Sequence, residues 1–160
     1  MTINKSILKQ CTVFSTLSDG ELDLLVSLAS EREYEAGTII FHEGDSADDL
    51  IQVIDGRVAV QVTAQSKDKQ PGRKITVDIV GKYELAGWSA LVEPYKYTMA
   101  AVCLQKVTVF ALNGIKLRRL MQNDIKISNE ILRGLVKVIA SRLNETRQLL
   151  ISERLTQTIK

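Results

Sequence analysis

The chain has 160 residues, 45% of them hydrophobic and 25% charged, with a formal net charge of +2. That length fits one domain around one core, and the near-balanced charge lacks the clustered basic surface of a nucleic-acid binder. One histidine, His42, and two cysteines, Cys11 and Cys103, exclude a histidine-rich catalytic zinc centre and a cluster held by four thiolates.

The opening residues, MTINKSILKQ, have no long apolar run behind their charges, so they do not read as a secretory signal. No stretch approaches the roughly 20 apolar residues of a membrane helix. A cytoplasmic protein with free, buried thiols is expected. Val13, Phe14 and Leu17 are candidate core residues ahead of the first clear helix. Ser18 with Glu21 three residues on has the spacing of a capping box. Leu22, Leu24, Leu25, Leu28 and Ala29 follow at near-helical intervals.

From Arg32 to about Leu112, short β-branched runs alternate with turn residues at Gly37, Gly44-Asp45, Asp55-Gly56, Pro71-Gly72 and Gly81. Thr38–Phe41, Leu50–Ile54, Val58–Val62, Lys74–Val80 and Val107–Leu112 read as strands, and Ala64–Arg73 as a polar loop. Asp55-Gly56 between two such runs reads as a tight hairpin. Short strands with near-regular turns predict an antiparallel β-roll, sandwich or barrel. His42, at a strand end, reads as a surface residue.

After Asn113-Gly114 the helical pattern resumes, breaks near Asn123-Asp124, and runs to the end. Arg118 and Arg119 read as a solvated helix face. Leu132, Val136, Ile139, Leu143, Thr146 and Leu150 recur at steps of four and three, a heptad seam that predicts helix pairing. The other reading of this stripe is packing on the roll.

The order of helix, β-roll and long seam helix resembles the effector domain of the cyclic nucleotide-binding superfamily. That superfamily includes the catabolite activator and Fnr-type regulators, kinase regulatory subunits and gated channels. The resemblance spans about residues 7 to 152. It is carried by Gly37–Asp45 (GTIIFHEGD), by Asp49–Val58 (DLIQVIDGRV), and by Gly87–Val102 (GWSALVEPYKYTMAAV), which is similar to the family's phosphate-binding cassette. It implies an α+β, mainly β fold: an antiparallel, jelly-roll-like β-roll at about 32–112 with an N-terminal helix and a C-terminal helical part at about 115–160. The whole is expected to be one domain without a helix-turn-helix.

In the family a Gly-Glu pair, a short helical turn and a later Arg hold the ligand, and backbone N–H groups at the turn face its phosphate. Here Trp88 stands where the Glu falls, Thr98 where the Arg falls, and Met99 follows. Each charge-assisted bond is worth roughly 1.5–3 kcal/mol. Losing both weakens a cyclic nucleotide by at least about 10²–10³-fold.

Lys96 is the nearest substitute cation, though it lacks the bidentate fork of Arg. Glu84 replaces the lost Glu only with a shift of register. The candidate cassette is Gly87, Trp88, Ser89, Ala90, Leu91, Lys96, Thr98 and Met99. Ser89, Ala90 and Leu91 offer N–H groups, and Trp88 acts as an apolar plug or as a stacking ring. Tyr95 and Tyr97 form a lid or cover apolar surface. From the helix, Arg142 and Thr146 resemble a segment whose threonine touches the ligand's base in the regulators; the alternative for Thr146 is a bond to its own helix.

Two functions follow. One is a non-enzymatic sensor that binds a small anionic ligand, cyclic AMP, cyclic GMP or an atypical one, and signals through a homodimer helix. The other is a roll that has lost its ligand and serves as a dimerisation or docking unit. No cofactor, metal or direct DNA contact is expected.

Overall fold

A computed structural model describes residues 4–65, 67, 68 and 72–159. The capping box forms as read: Ser18 Oγ accepts from the Glu21 N–H at 3.3 Å, and the Glu21 carboxylate accepts from the Ser18 N–H at 2.8 Å. It opens helix α2, Asp19–Leu28, which buries Leu22 and Leu25. A four-residue helix α1, Lys5–Leu8, precedes it. It is too short for periodicity to reveal. Val13, Phe14 and Leu17 are buried as expected, and Cys11 and Cys103 are buried free thiols.

Eight strands follow: β1 Ala29–Tyr34, β2 Ile39–Phe41, β3 Asp49–Asp55, β4 Val58–Ala64, β5 Arg73–Val80, β6 Leu85–Ala86, β7 Ala100–Cys103 and β8 Val107–Asn113. They form two four-stranded sheets, β1-β8-β3-β6 and β2-β7-β4-β5, antiparallel throughout. The roll therefore begins three residues before Arg32, at Ala29. Strands β1, β6 and β7 escape the sequence: β1 is the polar run ASEREY, whose Ala29 reads as helical, β6 is two residues long, and β7 lies within the cassette motif.

Asp55-Gly56 does not close a hairpin. β3 pairs with β6 and β8, while β4 pairs with β5 and β7, so the chain turns there from one sheet into the other. Gly37–Asp45 likewise feeds β2 toward β7 rather than toward a sequential neighbour. A glycine turn is needed at a sheet-to-sheet corner as much as in a hairpin, so local signals do not separate the two. Among the described residues, β4 and β5 are the consecutive strands that pair. The loop between them includes Pro71, whose predicted turn lies outside the described residues.

The two sheets differ in cover. β3 runs Leu50, Ile51, Gln52 and Val53 buried in succession, because helices lie on the face turned away from the second sheet. Gln52, the buried polar residue there, donates from Nε2 to the Ile7 carbonyl at 2.9 Å and so ties α1 to the sheet. β5, at the edge of the other sheet, is largely exposed.

Asn113 caps helix α3, Gly114–Asn123, and Asp124 caps helix α4, Ile125–Thr158, which places the predicted break. Helix α4 buries Ile127, Ile131, Gly134 and Leu135, an i, i+4, i+7, i+8 stripe. Gly134 permits this docking: a Cβ there would lie 2.7 Å from Val13 Cα and 2.9 Å from its carbonyl oxygen. Side chains pin the same end, Thr16 Oγ1 donating to Glu130 at 2.6 Å and Lys126 pairing with Glu21 at 3.1 Å.

The heptad seam is a different stripe. Leu132, Val136, Ile139, Leu143 and Leu150 are exposed, at 44%, 64%, 36%, 57% and 51%. The residues read as a seam therefore do not pack on the roll. They form an apolar strip exposed to solvent along the helix.

Candidate ligand-binding site

The cassette folds where its glycine requires. Gly87 has φ +78°, and a Cβ at that position would lie 3.0 Å from the Asp49 carbonyl oxygen and 3.1 Å from the Tyr97 ring. Both the left-handed backbone and the close approach favour glycine. Trp88–Leu91 then make one turn of 3₁₀ helix. The returning loop, with a cis peptide at Glu93–Pro94, is laced to the turn after β2: Tyr97 N–H donates to Asp45 at 2.9 Å, Gly44 N–H to Tyr97 at 2.7 Å, and Ala47 N–H to Tyr95 at 2.8 Å.

Tyr97 is a wall rather than a lid. Its ring stacks on Phe41 with centroids 3.7 Å apart and planes at 11°. Its hydroxyl donates to the Asp49 carbonyl at 2.7 Å and accepts from the Asp49 N–H at 3.1 Å. Burial pushes the Tyr97 phenol up to about 12, which keeps it a donor at neutral pH.

Between this wall and α4 lies a cavity of about 30 Å³. That is room for about a water, far below the 300–1,000 Å³ of a ligand pocket. Gly87, Trp88, Ser89, Thr98, Met99 and Arg142 border it, with Asp78 of β5 and apolar residues of both sheets. Trp88 is half-buried against the core and fills space at the cavity edge. The Arg142 guanidinium lies over its ring, 5.5 Å from the centroid, and pairs with the Asp78 carboxylate. Burial pulls the Arg142 guanidinium down from its ordinary value, opposed by the Glu145 charge one turn on. An arginine remains charged there.

Four predicted residues stand outside the cavity. Lys96 is exposed and bridges to Ser46 across the loop, so strand-like pairing turns its side chain to solvent rather than toward the missing arginine's place. Ala90 is fully buried in the core, and its N–H donates to the Gly87 carbonyl at 3.0 Å, which removes it from any anion cradle. Leu91 packs against the core. Thr146 is exposed, and its hydroxyl donates to the Arg142 carbonyl at 2.8 Å, a bond to its own helix.

Glu84 is also elsewhere, its carboxylate accepting from the Gly81 N–H at 2.7 Å. His42 is a surface residue, 3.5 Å from Asp45. Arg118 corrects the reading of a solvated helix face: it donates to the Ala90 carbonyl at 2.6 Å and lies 3.9 Å above the Tyr95 ring, so it clamps the cassette turn onto α3.

Asp78 is the residue that sequence reasoning missed. It alternates with Val80 on the inward face of β5, where one charge among apolar neighbours was the available signal. Among the described residues the cavity thus keeps one cation and one carboxylate, but they come from α4 and β5 rather than from the cassette. Among the described residues no group of His, Cys, Asp and Glu side chains is placed to hold a metal ion, and no helix is long and apolar enough to cross a membrane.

A jelly-roll of two antiparallel sheets, a glycine-led turn at one end and a long helix closing over it define a regulatory β-roll module. The family profile described as Cyclic nucleotide-binding domain matches residues 31–124, more than half of the sequence, and the chain belongs to that family. A CRP-like cAMP-activated global transcriptional regulator of Mycobacterium tuberculosis is 24% identical over 140 residues, covering 88% of this chain and 58% of the regulator.

Among solved structures, the N-terminal domain of a transcriptional regulator from Streptomyces coelicolor is 29% identical with a TM-score of 0.66, over 89% of this chain and 95% of that one. The catabolite activator protein of Thermus thermophilus is 25% identical with a TM-score of 0.70, over 89% of this chain and 63% of that one. The chain spans 30% and 58% of the lengths of the first two curated relatives it matches.

Proposed function

We propose that the chain is a non-enzymatic sensor module of the cytoplasm that takes a small anionic ligand between the Gly87–Leu91 turn and Arg142, and passes binding on as a shift of α4 in a homodimer. One observation carries the reading. The same helix that supplies, among the described residues, the only cation bordering the cavity, Arg142, also carries the exposed stripe Leu132, Val136, Ile139, Leu143 and Leu150. A ligand that moves Arg142 therefore moves a surface fit for a second copy. Trp88, Ser89, Thr98 and Met99 line the same space and are the cassette residues assigned to the ligand. The two buried, unpaired thiols fit a reducing compartment.

The ligand class expected from the family is a cyclic nucleotide, held without the cassette glutamate and arginine. A nucleotide does not fit in about 30 Å³. Trp88 and Arg142 must separate for it to enter, which makes the described state the closed one. A thermal-shift series with 1 mM cyclic AMP or cyclic GMP tests the reading. A site of about 10 μM stabilises by ~2.7 kcal/mol at that concentration. For a domain of this size that raises Tm by roughly 5–10 °C. An unchanged Tm with both nucleotides overturns cyclic-nucleotide sensing.

A further inference from the structure

The cavity already faces an anion, and it is the protein's own. Beyond Val138, Arg142 is the one described residue of α4 that is not exposed. What covers it is the Asp78 carboxylate and the Trp88 ring. The side chains of Arg142 and Asp78 keep 16% and 30% of their exposure, so the pair is substantially shielded from solvent screening. Arg142 Nε is buried without a hydrogen-bond partner, so Asp78 does not satisfy the whole fork. Glu145 is the other charge acting on Arg142, and its carboxylate is engaged by the Ser141 hydroxyl at 3.2 Å.

These contacts join three parts: the edge strand β5, the cassette turn and the outer half of α4. Among the described residues of that outer half, no other side chain makes a hydrogen bond or ion pair with the roll. Arg142 also borders, with Asp78 and Glu145, a second cleft of about 160 Å³ between β5 and α4, so the pair stands as a partition between two spaces.

Building on the sensor reading above, we propose that Asp78 is an internal stand-in for the ligand's anionic group: it holds Arg142 over Trp88, keeps the cavity shut and latches α4 to β5, and an entering anion takes Arg142 from Asp78 and frees the helix. The exchange is one carboxylate for another anion at the same guanidinium, so no charge is left buried and unpaired at Arg142 in either state. The device gives the module a defined off-state. It also sets the ligand's minimum chemistry: an anionic group able to complete the fork that Asp78 leaves partly unfilled.

Two conservative variants separate the latch from the sensor. Asp78→Asn removes the internal competitor and keeps its size; Arg142→Gln breaks the same pair from the other side. Both are compared with the full-length wild type, first without ligand, by hydrogen exchange of the amides at 138–146 and by iodide quenching of Trp88, the chain's only tryptophan. In both variants exchange there should quicken about tenfold or more and Trp88 become more accessible, as expected for loss of one charge-assisted bond. Unchanged exchange and quenching in both variants overturns the latch.

Calorimetry with cyclic AMP then splits the pair. Asp78→Asn should bind about tenfold tighter than wild type, and Arg142→Gln weaker. Equal affinity of wild type and Asp78→Asn also overturns the latch, while leaving the sensor reading intact. Quickened exchange with no binding to any of the three proteins leaves the latch standing and removes the cyclic-nucleotide reading.

Discussion

The two halves of helix α4 share one backbone and live in different surroundings. From Ile127 to Val138 the helix lies on the domain, with Ile127, Ile131, Gly134 and Leu135 buried and Val138 packed at their edge. From Ile139 to Ile159 every described residue is exposed except Arg142. Helix nucleation is costly, and in proteins most helical stability comes from a packed apolar face. The inner half is therefore part of the fold. The outer half is held by one ion pair inside the protomer and by whatever covers its apolar stripe. This is a useful division for a signalling element, since the anchored part defines a pivot and the free part can change partners without unfolding the domain.

The largest expected effect tests the anchored half. Ile131 is fully buried, and Ile131→Ala should cost about 2–5 kcal/mol, the usual range for truncating a core isoleucine. Urea unfolding should show a lower midpoint with an unchanged slope. A midpoint equal to wild type would mean that the inner half is not part of the cooperative unit.

Ile139→Glu tests the free half. Ile139 is 36% exposed and lies mid-seam, so the change should leave the folded protomer within about 0.5 kcal/mol of wild type. It should instead abolish pairing, because two carboxylates would face each other across the seam. Light scattering at equal concentrations should report half the molar mass of the wild type. A dimer that persists would place the interface elsewhere.

How far the sequence disclosed these differences follows from the range of the signals. The capping box at Ser18 and Glu21 and the break at Asp124 were legible because each is a contact within three residues. The cassette turn at Gly87–Leu91 was legible through its resemblance to the family's phosphate-binding segment, and a 3₁₀ turn led by Gly87 forms there. The hairpin expected at Asp55-Gly56 does not form, since strand partners in a roll are chosen by core packing and not by the turn that joins them.

The residues of the heptad seam form an exposed stripe, and a second stripe one residue out of phase, Ile127–Ile131–Leu135, is the one the roll buries. Asp78, Arg142 and Arg118 act through partners distant in the chain: an ion pair from β5 to α4, and a guanidinium on the Ala90 carbonyl. Lys96 lies near the missing arginine's place in sequence, but that nearness does not become nearness to the cavity.

Thr146 gives the smallest effect and the finest test of the division between the halves. Its hydroxyl donates to the Arg142 carbonyl one turn back, and its side chain is exposed. Such a back-bond adds little to a helix and slightly opposes ideal geometry. Valine matches threonine in shape and nearly in helix propensity. Thr146→Val should therefore shift the unfolding free energy by less than about 0.5 kcal/mol at concentrations where the chain is monomeric. At higher concentrations the added methyl stands between Leu143 and Leu150 on the seam and should favour pairing, so the melting temperature should rise with protein concentration at least as steeply as in wild type. A loss of a kcal/mol or more in the monomer would mean that the outer half of α4 folds back onto the roll in solution. The contrast between an anchored and a free half, and with it the role given to Arg142, would then fail together.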